Sequence, residues 1–155
     1  MRRCLACALL LLIIAACTAP PSSPAPPAQA SVVGSPEAVR TRLAEDLRRL
    51  GFAVQDGPAG LQAEKRQAAD PSWADCPVVM VSDDTGSAVR RDWARPGGRD
   101  ATVTVGLGPT GGRTDVRVVA TFTAGYVDRY RATAFTDGCS STGALEHHIL
   151  AVAQG

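Results

Sequence analysis

The chain has 155 residues, with 16 basic and 15 acidic side chains and a formal net charge of +1. The charges are interspersed, which excludes the clustered basic surface that a nucleic-acid partner requires. Length and a hydrophobic content of 45% allow one core of ordinary domain size.

The chain opens on Met1-Arg2-Arg3, and an apolar stretch follows over residues 4–16. That stretch is too short for a bilayer core, which needs roughly 20 residues. It fits the apolar region of an export signal, about 7–15 residues long. It ends in Ile14-Ala15-Ala16-Cys17. An aliphatic residue, two small residues and a cysteine in that order resemble a bacterial lipobox. The resemblance implies cleavage after Ala16 and a diacylglycerol on the Cys17 thiol, with the new amine acylated as well. Two or more chains anchor stably where one is marginal. In Gram-negative lipoproteins an Asp after the cysteine favours inner-membrane retention. Thr18 stands there, so the resemblance implies the outer membrane, facing the periplasm; a Gram-positive cell surface is the other setting it allows.

Residues 18–31 read TAPPSSPAPPAQAS. Such a composition cannot bury a core, and its prolines remove backbone donors. It reads as a tether. The expected organisation is therefore a signal peptide over 1–16, a lipidated cysteine and tether over 17–34, and a single domain over 35–155.

Ser35-Pro36-Glu37 supplies a helix cap, a proline at the first helical position and an early acid. Val39, Leu43, Leu47 and Leu50 recur at helical spacing up to Gly51, a natural stop. Arg40, Arg42, Glu45, Asp46, Arg48 and Arg49 fill the positions between and are read as a solvated face, with Arg48 and Arg49 as candidate partner contacts.

A hairpin is expected over 52–66, turning at Asp56-Gly57-Pro58. Residues 67–77 read as irregular and hold Trp73 and Cys76. A short strand follows over 77–82, then a turn at 83–86. Residues 89–99 read as a loop that carries Trp93, a second candidate contact. The clearest alternation comes next: Val103, Val105 and Leu107 in one strand, then Val116, Val118, Ala120 and Phe122 in another, joined by a glycine-rich turn. This is a half-buried antiparallel pair. A third strand is expected over 130–135, and residues 136–143 connect it to a closing helix over 144–153, capped by Ser141 or Thr142. The expected fold class is α+β: an antiparallel sheet of about four to five strands with N-terminal and C-terminal helices packed on one face.

Cys4 and Cys7 would leave with the signal, and Cys17 is claimed by lipid. Cys76 and Cys139 remain as an even pair in an oxidising compartment, and a disulfide between them is expected. A redox pair or metal ligands are the alternative. Redox cysteines usually sit as C-x-x-C, and these are far apart in sequence.

Four motifs suggest chemistry. Gly106 to Gly111 match G-x-G-x-x-G, but a strand follows where a nucleotide site needs a helix. Asp84-Thr85-Gly86 resembles the D-T-G of aspartic proteases, which need two such aspartates; a turn explains it better. His147 and His148 point about 100° apart on a helix and cannot chelate together. A hydrolase built from Ser140, a histidine and an aspartate lacks the last glycine of G-x-S-x-G. No cofactor and no metal are expected.

The lipobox, the tether, a tryptophan shortly before a cysteine, and C-S-S-T-G-A-L-E before the last helix resemble small proteobacterial lipoproteins. The helix–sheet–helix order is similar to the helix-grip domains of BamC-type lipoproteins. The expectation is a non-enzymatic module that binds the bilayer through acylated Cys17 and an envelope protein through its sheet or a helix face. One alternative is an inhibitor or immunity-type lipoprotein that inserts the 89–99 loop into an enzyme. The other is a small hydrolase.

Overall fold

A computed structural model describes residues 27–67, 69–91 and 98–155. Cys17, most of the expected tether and Trp93 lie outside the described residues.

The architecture is α+β, as expected in class. The strands are β1 (Ala28–Val33), β2 (Ala53–Gly57), β3 (Gly60–Lys65), β4 (Ala74–Asp75), β5 (Val79–Ser82), β6 (Ala88–Arg91), β7 (Arg99–Thr110), β8 (Arg113–Asp128) and β9 (Thr133–Ser141). The helices are α1 (Pro36–Arg49) and α2 (Ala144–Gln154). Nine strands among the described residues replace the expected four to five. Seven form one antiparallel sheet in the order β2-β3-β7-β8-β9-β4, with β1 also on β8; β5 and β6 form a separate pair.

β8 organises the molecule. Its burial alternates along its whole length: Thr114, Val116, Val118, Phe122, Ala124, Tyr126 and Asp128 are buried, and every odd-numbered residue is exposed. One face of this long strand therefore lies against the core and the other against solvent. Its first edge pairs with β7 throughout, from Thr110↔Arg113 to Arg99↔Ala124. Its second edge is shared. β1 takes one end (Ala28↔Val118 to Val33↔Arg113) and β9 takes the other (Phe122↔Cys139 to Asp128↔Thr133). The β7–β8 turn is Gly111-Gly112, both with positive φ (55° and 81°). A two-residue hairpin that twists with its strands needs two such residues, and glycine supplies them without a Cβ clash.

Both helices pack on the buried face. Leu43 and Leu47 of α1 and Leu145 and Ile149 of α2 share a core with Val103, Val105, Val116 and Val118. The Ser35 hydroxyl accepts from the Ala38 amide at the start of α1. At its end Gly51 has φ 86°, its amide bonds the Arg48 carbonyl, and the Phe52 amide reaches back to Leu47. That is the Schellman arrangement, which satisfies the last carbonyls of the helix. Further along β8 the cover changes. There the β5–β6 pair supplies Val81 against Ala124 and Tyr126, a second and smaller core.

Four boundaries differ from expectation. Residues 28–33, read as the end of the tether, are strand β1, because the free edge of β8 bonds them and Val32 enters the core. β8 runs on to Asp128, past Phe122, the last residue of the expected alternation. β9 begins at Thr133 and continues through the Gly/Ser-rich residues expected to be a connection. The expected loop starts instead with strand β6, paired Val79↔Arg91 to Ser82↔Ala88.

Candidate functional site

Cys76 and Cys139 stand at disulfide-bonding distance, with Cα atoms 4.2 Å apart across 63 residues of sequence. Cys139 packs against both cores. The bond thus joins the segment before β5 to β9, where the helix layer gives way to the β5–β6 pair.

The helix faces carry charge but no large exposed apolar side chain among the described residues. Arg48 is exposed. Arg49 is exposed too, but its Nη2 donates to Asp46 Oδ1 at 2.9 Å. Asp46 is not solvated as its type suggested; it is buried, and its Oδ2 lies 2.8 Å from His148 Nε2 on α2. Arg42 Nη2 donates to the Ala153 carbonyl at 3.0 Å. These contacts stitch α1 to α2, so Asp46, Arg49 and His148 form a structural cluster. Its signal was in the spacing: Asp46 is three residues from Leu43 and four from Leu50, on the apolar stripe. Above the β2–β3 hairpin α1 leaves a polar groove of about 410 Å³ lined by Glu37, Arg40, Glu45, Arg48, Gln55 and Asp56. Arg40 crosses it to pair with both Glu37 and Asp56.

The chemical motifs resolve into turns and caps. Gly106 to Gly111 lie in β7 and its turn. In the β5–β6 turn it is Asp83, not Asp84, that accepts from the Thr85 amide and hydroxyl and the Ser87 amide. The α2 cap is Gly143, with φ 81°, rather than Ser141 or Thr142. Their hydroxyls bracket it: Ser141 donates to buried Glu146 at 2.7 Å, and Thr142 donates to the Ser72 carbonyl at 2.7 Å. Ser140 faces Asp75 in the β4–β9 ladder, whereas the ring of His148 is held on Asp46. Among the described residues no hydrogen bond joins Ser140 to either histidine. Trp73 packs against the core and stacks on Phe52 with centroids 5.8 Å apart. Lys65 Nζ lies 5.4 Å from the Trp73 centroid and donates to the Leu50 carbonyl at the end of α1.

Opposite the helices, the outer face of the sheet is uncovered among the described residues. Cross-strand pairing sets Gln62, Thr104 and Val119 in one row and Glu64, Thr102 and Thr121 in the next. Thr123 faces Gly138 and Gly125 faces Thr136 further along. This is a broad surface of threonines and glycines, with Val119 near its middle and Val127 towards one end. Asp115, at its other end, is held below the usual carboxylate range by the Thr110 hydroxyl and then by that of Ser31.

No family model, curated protein or solved structure matches this chain.

Proposed function

We propose that this chain is a lipid-anchored module of the cell envelope, held at the periplasmic face of the outer membrane by acylated Cys17, that binds another envelope protein through the open face of its sheet and performs no chemistry of its own. The observation that carries the reading is the one-sided cover of β8. Its odd-numbered residues from Arg113 to Val127 are all exposed, while both helices and the β5–β6 pair crowd the other side. A sheet covered on one side only offers a wide, preformed surface to a partner. The anchoring half rests on the order of charge, apolar run, small residues and cysteine over residues 1–17.

The experiment is photo-crosslinking in the native envelope, with a reactive residue at Thr121 in the centre of the open face and, separately, at Arg49 on α1. A single dominant adduct at Thr121 is expected. Adducts at Arg49 alone would move the interface to the helix face, and none at either position would overturn the binding role. Cys17→Ser should release the protein from membranes; a variant that still fractionates with them would refute the anchor.

A further inference from the structure

Exposed apolar side chains are unevenly placed on this molecule. Seven large ones are exposed among the described residues, and five of them lie at the Asp128 end of β8: Val78, Met80, Val127, Tyr130 and Phe135. They come from two hairpins, β5–β6 with the residue before it and β8–β9, that are clasped together. Asp128 accepts from the Ser82 amide at 3.2 Å and the Arg131 amide at 2.9 Å, and the Arg129 amide donates to the Ser82 carbonyl. Tyr126 Oη donates to the Pro77 carbonyl at 2.6 Å. A Cβ on Gly86 would meet the Tyr130 ring at 3.1–3.3 Å, so the ring lies directly over the β5–β6 turn.

The direction of β1 shows which way this end points. β1 is antiparallel to β8, with Ala28 opposite Val118 and Val33 opposite Arg113. β1 therefore begins at the end of its ladder nearer Asp128 and runs away from it. From Val118 to Asp128 is ten residues of strand, about 33 Å at the usual rise. The eleven residue steps from Cys17 to Ala28 reach at most about 40 Å. That length is enough to span the distance from the start of β1 to this end of the sheet.

We infer that the Asp128 end of the molecule, with Val78, Met80, Val127, Tyr130 and Phe135, rests on the phospholipid surface in which Cys17 is anchored. The inference depends on the lipid anchor proposed above. Tyrosine suits the boundary between headgroups and acyl chains, with an apolar ring and a polar tip. The charges at this end nearly balance: Arg90, Arg129 and Arg131 stand against Asp83, Asp84 and Asp128, and Arg129 pairs with Asp84 at 3.7 Å. The contact is apolar rather than electrostatic. It is weak alone and persists because the anchor keeps the local lipid concentration high. One consequence is orientation. The long axis of the sheet stands up from the membrane, and the Gly111-Gly112 turn points away from it.

The test uses the full-length, lipidated protein in phosphatidylethanolamine/phosphatidylglycerol vesicles. A polarity-sensitive fluorophore is attached at Tyr130→Cys, at Met80→Cys, or at Thr110→Cys at the opposite end. With Cys17 acylated and Cys76 bonded to Cys139, the introduced thiol is the reactive one. Flotation reports the anchor, and quenching by nitroxide-labelled lipid reports the contact. Labels at 130 and 80 should be blue-shifted and quenched several-fold more than the label at 110, and the difference should survive about 0.5 M salt, where exposed charges are screened. If the protein floats but the labels at 130 and 80 are as water-exposed as the one at 110, the contact is refuted and the anchor stands. If the protein does not float, the anchor fails and the contact with it.

Discussion

Asp128 holds two parts of the molecule together with one carboxylate. The amides of Arg131 and Ser82 both donate to it, and these bonds, the Arg131 amide foremost, keep the carboxyl below its ordinary range. A folded-state value below the unfolded one stabilises the fold at all pH values above the unfolded one. That contribution is lost as pH falls through the folded value. Asp128→Asn should therefore lower the urea midpoint at neutral pH, and the gap from the parent should close as pH drops below the usual carboxylate range. A gap unchanged down to strongly acidic pH would refute the assignment. Gly60 is constrained by space: a Cβ there would meet the Val105 carbonyl oxygen at 2.1 Å. Gly60→Ala should cost about 2–4 kcal/mol in urea unfolding, because backbone must move to admit it. At this scale the sequence was partly legible. The α1 cap and the turn glycines could be read from residue type, whereas the α2 cap fell to Gly143 instead of the expected Ser141 or Thr142, and Asp46 was placed outside by its charge although its spacing put it inside. Burial is acceptable because both of its oxygens have partners, Arg49 one turn along and His148 about a hundred positions away.

Among the elements, those with a pattern of their own were legible. α1 carries its cap, stripe and stop within 17 residues of sequence, from Ser35 to Gly51. Its C-terminal glycine is the weak point. With φ at 86° in a Schellman turn, Gly51→Ala should cost about 1 kcal/mol. A thermal or urea midpoint equal to the parent's would refute the claim. The stripe offers a larger effect: Leu43, fully buried in the core that α1 and α2 share with the sheet, should cost about 2–5 kcal/mol on change to Ala. β1 and the second half of β9 were not legible. AQASVV and TDGCSS have no strong alternation, and small polar residues read as linker. Their extended form comes from hydrogen bonds offered by β8 and β4, not from local preference.

Over the whole molecule, the disulfide is the link between two unequal cores. Its 63-residue separation predicts about 4 kcal/mol of stabilisation through the unfolded chain. Replacing both cysteines with serine should remove much of that in urea unfolding. The loss should also be uneven: hydrogen exchange should rise first in β5 and β6, whose core among the described residues buries only Val81, Ala124 and Tyr126. Uniform loss of protection across both cores would count against this division. The same division separates the proposed roles, with the open sheet face for a protein partner and the Asp128 end for lipid.

What the sequence determined by itself was local or arithmetical: two amphipathic helices, the alternating pair around Gly111-Gly112, the pairing of the two cysteines left in the domain, and the α+β class. Each follows from periodicity, backbone preference or cysteine count, which short windows and simple totals contain. Only the tertiary structure decided how far the sheet extends, that β1 belongs to it, that β5 and β6 continue the cover where the helices end, and which end gathers the exposed apolar side chains. Those depend on which edges of β8 are free to pair. A strand that takes its hydrogen bonds from a distant neighbour leaves little trace of them in its own residues.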